Sequence, residues 1–88
     1  MSETPENRIK RLKMRSMRRG IKEMDVILQP FAEANLDGMD DAGLGLYDEM
    51  LNENDHDLYQ WVSGQIAPPE RYAALIGRII DQLPRTTA

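Results

Sequence analysis

Arg18, Arg19, Gly20, Ile21, Lys22 and Glu23 gather three cations and one carboxylate around a single glycine. That mixture suits protein docking. Guanidinium groups donate charge-assisted hydrogen bonds, a glutamate accepts them, and a glycine presents both at a bend. Nothing else in the chain assembles into a reaction centre. His56 is the one histidine, and it lies in Asn54-Asp55-His56-Asp57, which reads as a helix start. A metal there would need several ligands to converge from one turn, so a capping or surface role is expected. The acids from Asp37 to Asp57 do not follow the alternating oxygens, central glycine and closing glutamate of a calcium loop. No glycine-rich phosphate loop is present. No catalytic set, metal site or cofactor site is therefore expected, and the chain does not read as an enzyme.

Charge is segregated along the chain. Eight of the eleven Lys and Arg residues fall between Arg8 and Lys22, and none lies between Glu23 and Glu70. The net charge is −4, so the whole molecule repels nucleic acid while its basic end can orient a partner at encounter. With 88 residues the chain makes one small domain with little room for a deep active site. No cysteine is present, which excludes disulfides and thiolate chemistry. No apolar run is long enough to span a membrane. The N-terminus lacks a secretory apolar region, and Glu3 and Glu6 suit a transit peptide poorly; a bacterial cytoplasmic setting is expected.

The elements that must position these residues all read as helices, so an all-α bundle of about five short helices is expected. Thr4-Pro5-Glu6 starts a first helix that runs to about Arg18, with Ile9, Leu12 and Met17 as a thin apolar stripe. Gly20 breaks it. A second helix carries Ile21, Met24, Ile27, Leu28 and Phe31 on one face, is kinked by Pro30 and ends near Asn35. Leu36 to Met39 turns the chain. Asp40 caps a third helix, Asp41 to about Asn52, which Gly43 and Gly45 each weaken by roughly 1 kcal/mol relative to alanine. Asn54 or Asp55 caps a fourth, with Leu58, Trp61 and Val62 inward and Gly64 ending it. Tyr59 is out of phase and expected to be exposed. Met14 and Met39 lie off the stripes, where methionine can serve an adaptable contact surface. Pro68-Pro69-Glu70 starts the fifth helix, whose Tyr72, Leu75, Ile76, Ile79, Ile80 and Leu83 face inward until Pro84 stops it. Residues 1–88 thus form one domain, with flexible ends at 1–6 and 84–88.

Three readings compete for the basic first helix: a solvated amphipathic face, a phosphate-binding arm, and half of a docking face. The second would make the chain a small regulatory module, an antitoxin or nucleic-acid-associated factor. It lacks interleaved aromatic residues, and the acidic body opposes it. The docking face would comprise Arg15, Arg18, Arg19, Gly20 and Glu23.

Arg18-Arg19-Gly20-Ile21-Lys22-Glu23-Met24-Asp25 resembles the RGxxE motif of the succinate dehydrogenase assembly factors. The likeness continues through Pro30-Phe31 and Asp55-His56-Asp57-Leu58-Tyr59-Gln60-Trp61, and covers Asn7 to Leu83. The resemblance implies a small helical chaperone that binds the flavoprotein subunit of succinate dehydrogenase and promotes covalent attachment of FAD to it. The flavoprotein of fumarate reductase is a further candidate partner. It implies that Arg19, Gly20 and Glu23 touch the flavoprotein, with Gly20 letting the backbones approach. FAD belongs to the partner, and the chaperone is expected to be a monomer that binds neither nucleic acid nor membrane.

Overall fold

The structure, a computed structural model, describes residues 3–83. It holds five α-helices: α1 (Pro5–Arg15), α2 (Lys22–Asn35), α3 (Asp41–Met50), α4 (Asp55–Val62) and α5 (Glu70–Asp81), with a 3-10 turn at Leu36–Gly38 between α2 and α3. The expected all-α bundle is what forms. The flexible ends expected at 84–88 and at the first two residues lie outside the described part. Within it, Thr4 Oγ1 accepts the Asn7 N–H and caps α1.

Helix α2 is the central element, packing on α1, α4 and α5. Its Met24, Leu28, Phe31 and Ala32 are buried, and the helix runs unbroken through Pro30. Leu12 of α1, Leu44, Tyr47 and Met50 of α3, Leu58, Trp61 and Val62 of α4, and Tyr72, Leu75, Ile76 and Ile79 of α5 complete one continuous core. Phe31 stacks on Tyr47 with ring centroids 5.9 Å apart, and Trp61 meets Tyr72 at the same distance.

Two of the helices end by side-chain or glycine chemistry. Helix α4 closes in a Schellman motif: Gln65 N–H donates to the Gln60 carbonyl at 2.9 Å, Gly64 N–H donates to the Trp61 carbonyl at 3.3 Å, and Gly64 takes φ +83°. Helix α1 ends at Arg15, three residues before the expected Arg18. Ser16 stops it, fully buried, with its hydroxyl donating to the Leu12 carbonyl at 2.8 Å. That proton is committed, so the Tyr47 hydroxyl donates to Ser16 Oγ, 2.6 Å away. A serine hydroxyl bonded one turn back competes with helix continuation.

Other expectations shift at the edges. Helix α3 ends at Met50 rather than Asn52, because Leu51 turns inward as a buried cap. Tyr59 is half-buried against the core instead of exposed, and Met39 packs there too. Met17 and Ile80 sit at the surface instead of inward. The two glycines of α3 answer to neighbours: a Cβ on Gly45 would come within 3.2 Å of an Arg8 guanidinium nitrogen. At the opposite end from Ser16, Asn35 and Gln82 exchange two amide hydrogen bonds of 2.6 and 2.8 Å that tie α2 to the end of α5.

Candidate functional site

Residues 16–21 form the loop between α1 and α2. Arg18 takes φ 54°, the left-handed region that costs a non-glycine residue about 1 kcal/mol. No side chain caps the start of α2; instead the Asp25 carboxylate turns back and accepts the Arg19 backbone N–H. Arg18 and Arg19 then diverge, Arg18 exposed and Arg19 folded inward.

The Arg19 guanidinium sits where two helices end and a third begins. Nη1 donates to the Arg15 carbonyl at the end of α1 (3.0 Å), and Nη2 donates to the Leu51 carbonyl that caps α3 (2.9 Å). Nε donates to Oδ1 of Asp55, the first residue of α4, at 2.9 Å. A cation at two helix C-termini and a carboxylate at a helix N-terminus both follow the helix dipoles. The pair is well shielded, with each side chain 12% exposed. The second Asp55 oxygen accepts the Gly20 N–H. A Cβ on Gly20 would stand 3.1 Å from that oxygen, so the glycine leaves room for Asp55. Beside this junction is an open hollow of about 310 Å³, walled by Arg19 to Ile21 on one side and Glu53 to His56 on the other.

The five residues expected at the docking face therefore occupy three different environments. Arg18 and Glu23 are exposed and make no side-chain hydrogen bond or ion pair among the described residues. Gly20 is exposed, but its N–H is bound to Asp55. Arg15 and Arg19 are engaged inside the molecule: Arg15 pairs with Asp48 at 2.7 Å and donates to Asn52 Oδ1 at 2.8 Å. Arg19 and Glu23 are not set side by side as donor and acceptor for one partner. His56 is exposed on the hollow's rim, and its backbone N–H donates to the Asn54 cap. Asp25, Asp48 and Asp55 organise the site. Of these, Asp25 and Asp55 had a sequence signal, their places in the Arg18-to-Asp25 and Asp55-to-Trp61 segments; Asp48 had none.

The basic face of α1 is likewise committed. Arg8 pairs with Asp41 (2.6 Å), Arg11 with Glu3 and Asp48 (2.8 and 2.9 Å), and Lys13 with Asp37 (3.5 Å). Hydrogen bonds from Arg11 hold the carboxyls of Glu3 and Asp48 below their usual range. A nucleic-acid phosphate would have to displace these carboxylates to reach Arg8, Arg11 or Lys13.

A family profile described as "Flavinator of succinate dehydrogenase" matches residues 10–83, from the middle of α1 to beyond α5. The chain belongs to that family. Among its relatives, the succinate dehydrogenase assembly factor 2 of Meyerozyma guilliermondii, a mitochondrial protein, is 43% identical over 61 residues, 69% of this chain and 45% of the relative. The FAD assembly factor SdhE of Francisella tularensis is 37% identical over 67 residues, 76% of this chain and 70% of the relative. The mitochondrial assembly factor 2 of Schizosaccharomyces pombe is 39% identical over 70 residues, 80% and 50%. The chain thus spans about half the length of these two fungal members of the flavinator family. The family match begins after Arg8 and includes the whole Arg19–Asp55 junction. Among the described residues, no helix is long and apolar enough to cross a membrane.

Proposed function

We propose that this chain is a non-catalytic assembly factor that docks the flavoprotein subunit of succinate dehydrogenase and promotes covalent attachment of FAD to it. The observation that carries this reading is the family match across residues 10–83, which takes in the loop whose Arg18 and Glu23 are exposed and internally unpaired. Those two side chains and the Gly20 edge form the contact. The chain supplies no reacting group. It acts by holding the flavoprotein's domains where that subunit's own histidine and bound FAD can react, which is catalysis by orientation. FAD belongs to the partner in this scheme. The chain acts as a monomer in the bacterial cytoplasm, and the flavoprotein of fumarate reductase is a second client.

Glu23→Lys tests this directly, because Glu23 is exposed and the substitution leaves the core alone. Co-expressed with the flavoprotein subunit in a host lacking its own assembly factor, the variant is expected to keep wild-type helicity and Tm. Covalent flavin, read as fluorescence of the denatured subunit in a gel, should drop about tenfold or more, the scale of one lost charge-assisted contact. Undiminished fluorescence would remove Glu23 from the docking face.

A further inference from the structure

Asp55 spans two parts of the loop at once. One oxygen holds the Arg19 guanidinium, the other holds the Gly20 N–H. Arg19 is in turn locked to the carbonyls of Arg15 and Leu51. The backbone between the exposed Arg18 and Glu23 is therefore fastened by one carboxylate on a different helix, 36 residues away. Space at the junction is tight, since the nearest neighbour of a Cβ on Gly20 is Asp55 Oδ2 at 3.1 Å.

We propose that Asp55 is a positioning residue for docking, and that position 20 is glycine to admit the Asp55 carboxylate rather than to admit the partner. Asp55 acts through Arg19 and Gly20, setting the loop shape that presents Arg18 and Glu23. This rests on the reading that the loop docks a flavoprotein. It differs from the expectation that Gly20 serves close approach by that partner: a methyl group at position 20 does harm only while the Asp55 carboxylate is there to be pushed.

A double-mutant cycle separates the two accounts. Purified wild type, Gly20→Ala, Asp55→Ala and the double variant are titrated calorimetrically with isolated flavoprotein subunit. Gly20→Ala is expected to weaken binding about tenfold in the wild-type background and less than about twofold in the Asp55→Ala background, the non-additivity of directly contacting residues. Equal penalties in both backgrounds overturn the inference, because Gly20 then faces the partner. A wild-type chain that does not bind the subunit overturns the functional reading instead. The same cycle on Tm, without partner, decides the intramolecular half where Asp55→Ala binds too weakly to measure. There Gly20→Ala lowers Tm only while Asp55 is present, and equal Tm losses in both backgrounds overturn the inference. Asp55→Ser, which also withdraws from Gly20, replaces Asp55→Ala if the latter does not fold. The Gly20 amide proton resonance supplies a local signature: the downfield position expected of an N–H bonded to a carboxylate should be lost in Asp55→Ser, and an unmoved resonance overturns the inference.

Discussion

The two ends of the basic segment handle charge in opposite ways. Along α1, Arg8 and Lys13 meet acids in open water, the Asp41 side chain that Arg8 meets being 95% exposed, and Arg11 meets the half-exposed Glu3 and Asp48. At the loop, Arg19 and Asp55 are almost fully enclosed and share their donors and acceptors with three helix ends. Exposed pairs are worth little because water and salt screen them. An enclosed pair leaves a costly orphan when one partner is removed. The more numerous charges therefore shape solubility and encounter, while a single pair holds the candidate site together.

Breaking the enclosed pair should have the largest effect. Arg19→Ala strands Asp55 and two helix-terminal carbonyls, and is expected to cost about 3 kcal/mol in urea denaturation; a loss below about 1 kcal/mol would put Arg19 in the same class as the α1 arginines. The Ser16–Tyr47 hydrogen bond lies between the two regions and gives the next effect. Burial pushes the Tyr47 phenol from its ordinary 10 up to about 12. Its folded value is raised, so the protein is at full strength below pH 10 and loses about 2–3 kcal/mol as pH climbs to about 12. Tyr47→Phe should flatten that alkaline loss, measured as Tm against pH. The smallest effect belongs to the half-exposed pairs of Asp48 with Arg11 and Arg15. Asp48→Asn should cost less than about 1 kcal/mol at neutral pH. Because the Asp48 carboxyl is depressed, that difference should vanish as pH falls below its ordinary 3.8 and through its folded value.

The same contrast explains what could be read from the residues alone. Helix α5 was legible because its apolar positions recur at helical spacing, and Pro68-Pro69-Glu70 marks its start. Met14 was legible as a surface residue because it falls off the stripe, and it is 73% exposed. The end of α1 was not, since Ser16 stops the helix by bonding a buried tyrosine 31 residues on. Position 20 stands out in the sequence as a glycine at a charge boundary; that its neighbour is Asp55 is visible only in the fold. The RGxxE likeness places Arg19 rather than Arg18 against the partner, whereas a left-handed φ at Arg18 leaves Arg18 exposed and turns Arg19 inward.

The length of chain between Arg19 and Asp55 carries a temporal consequence. Translation at about 5–20 residues per second places the 36 positions between them about 2–7 s apart. Throughout that interval the nascent loop has its cations but not its carboxylate, so it cannot hold its final shape. The loop takes its final shape only when α4 emerges, so until then Arg18 and Glu23 stand on a backbone that Asp55 has not yet fastened.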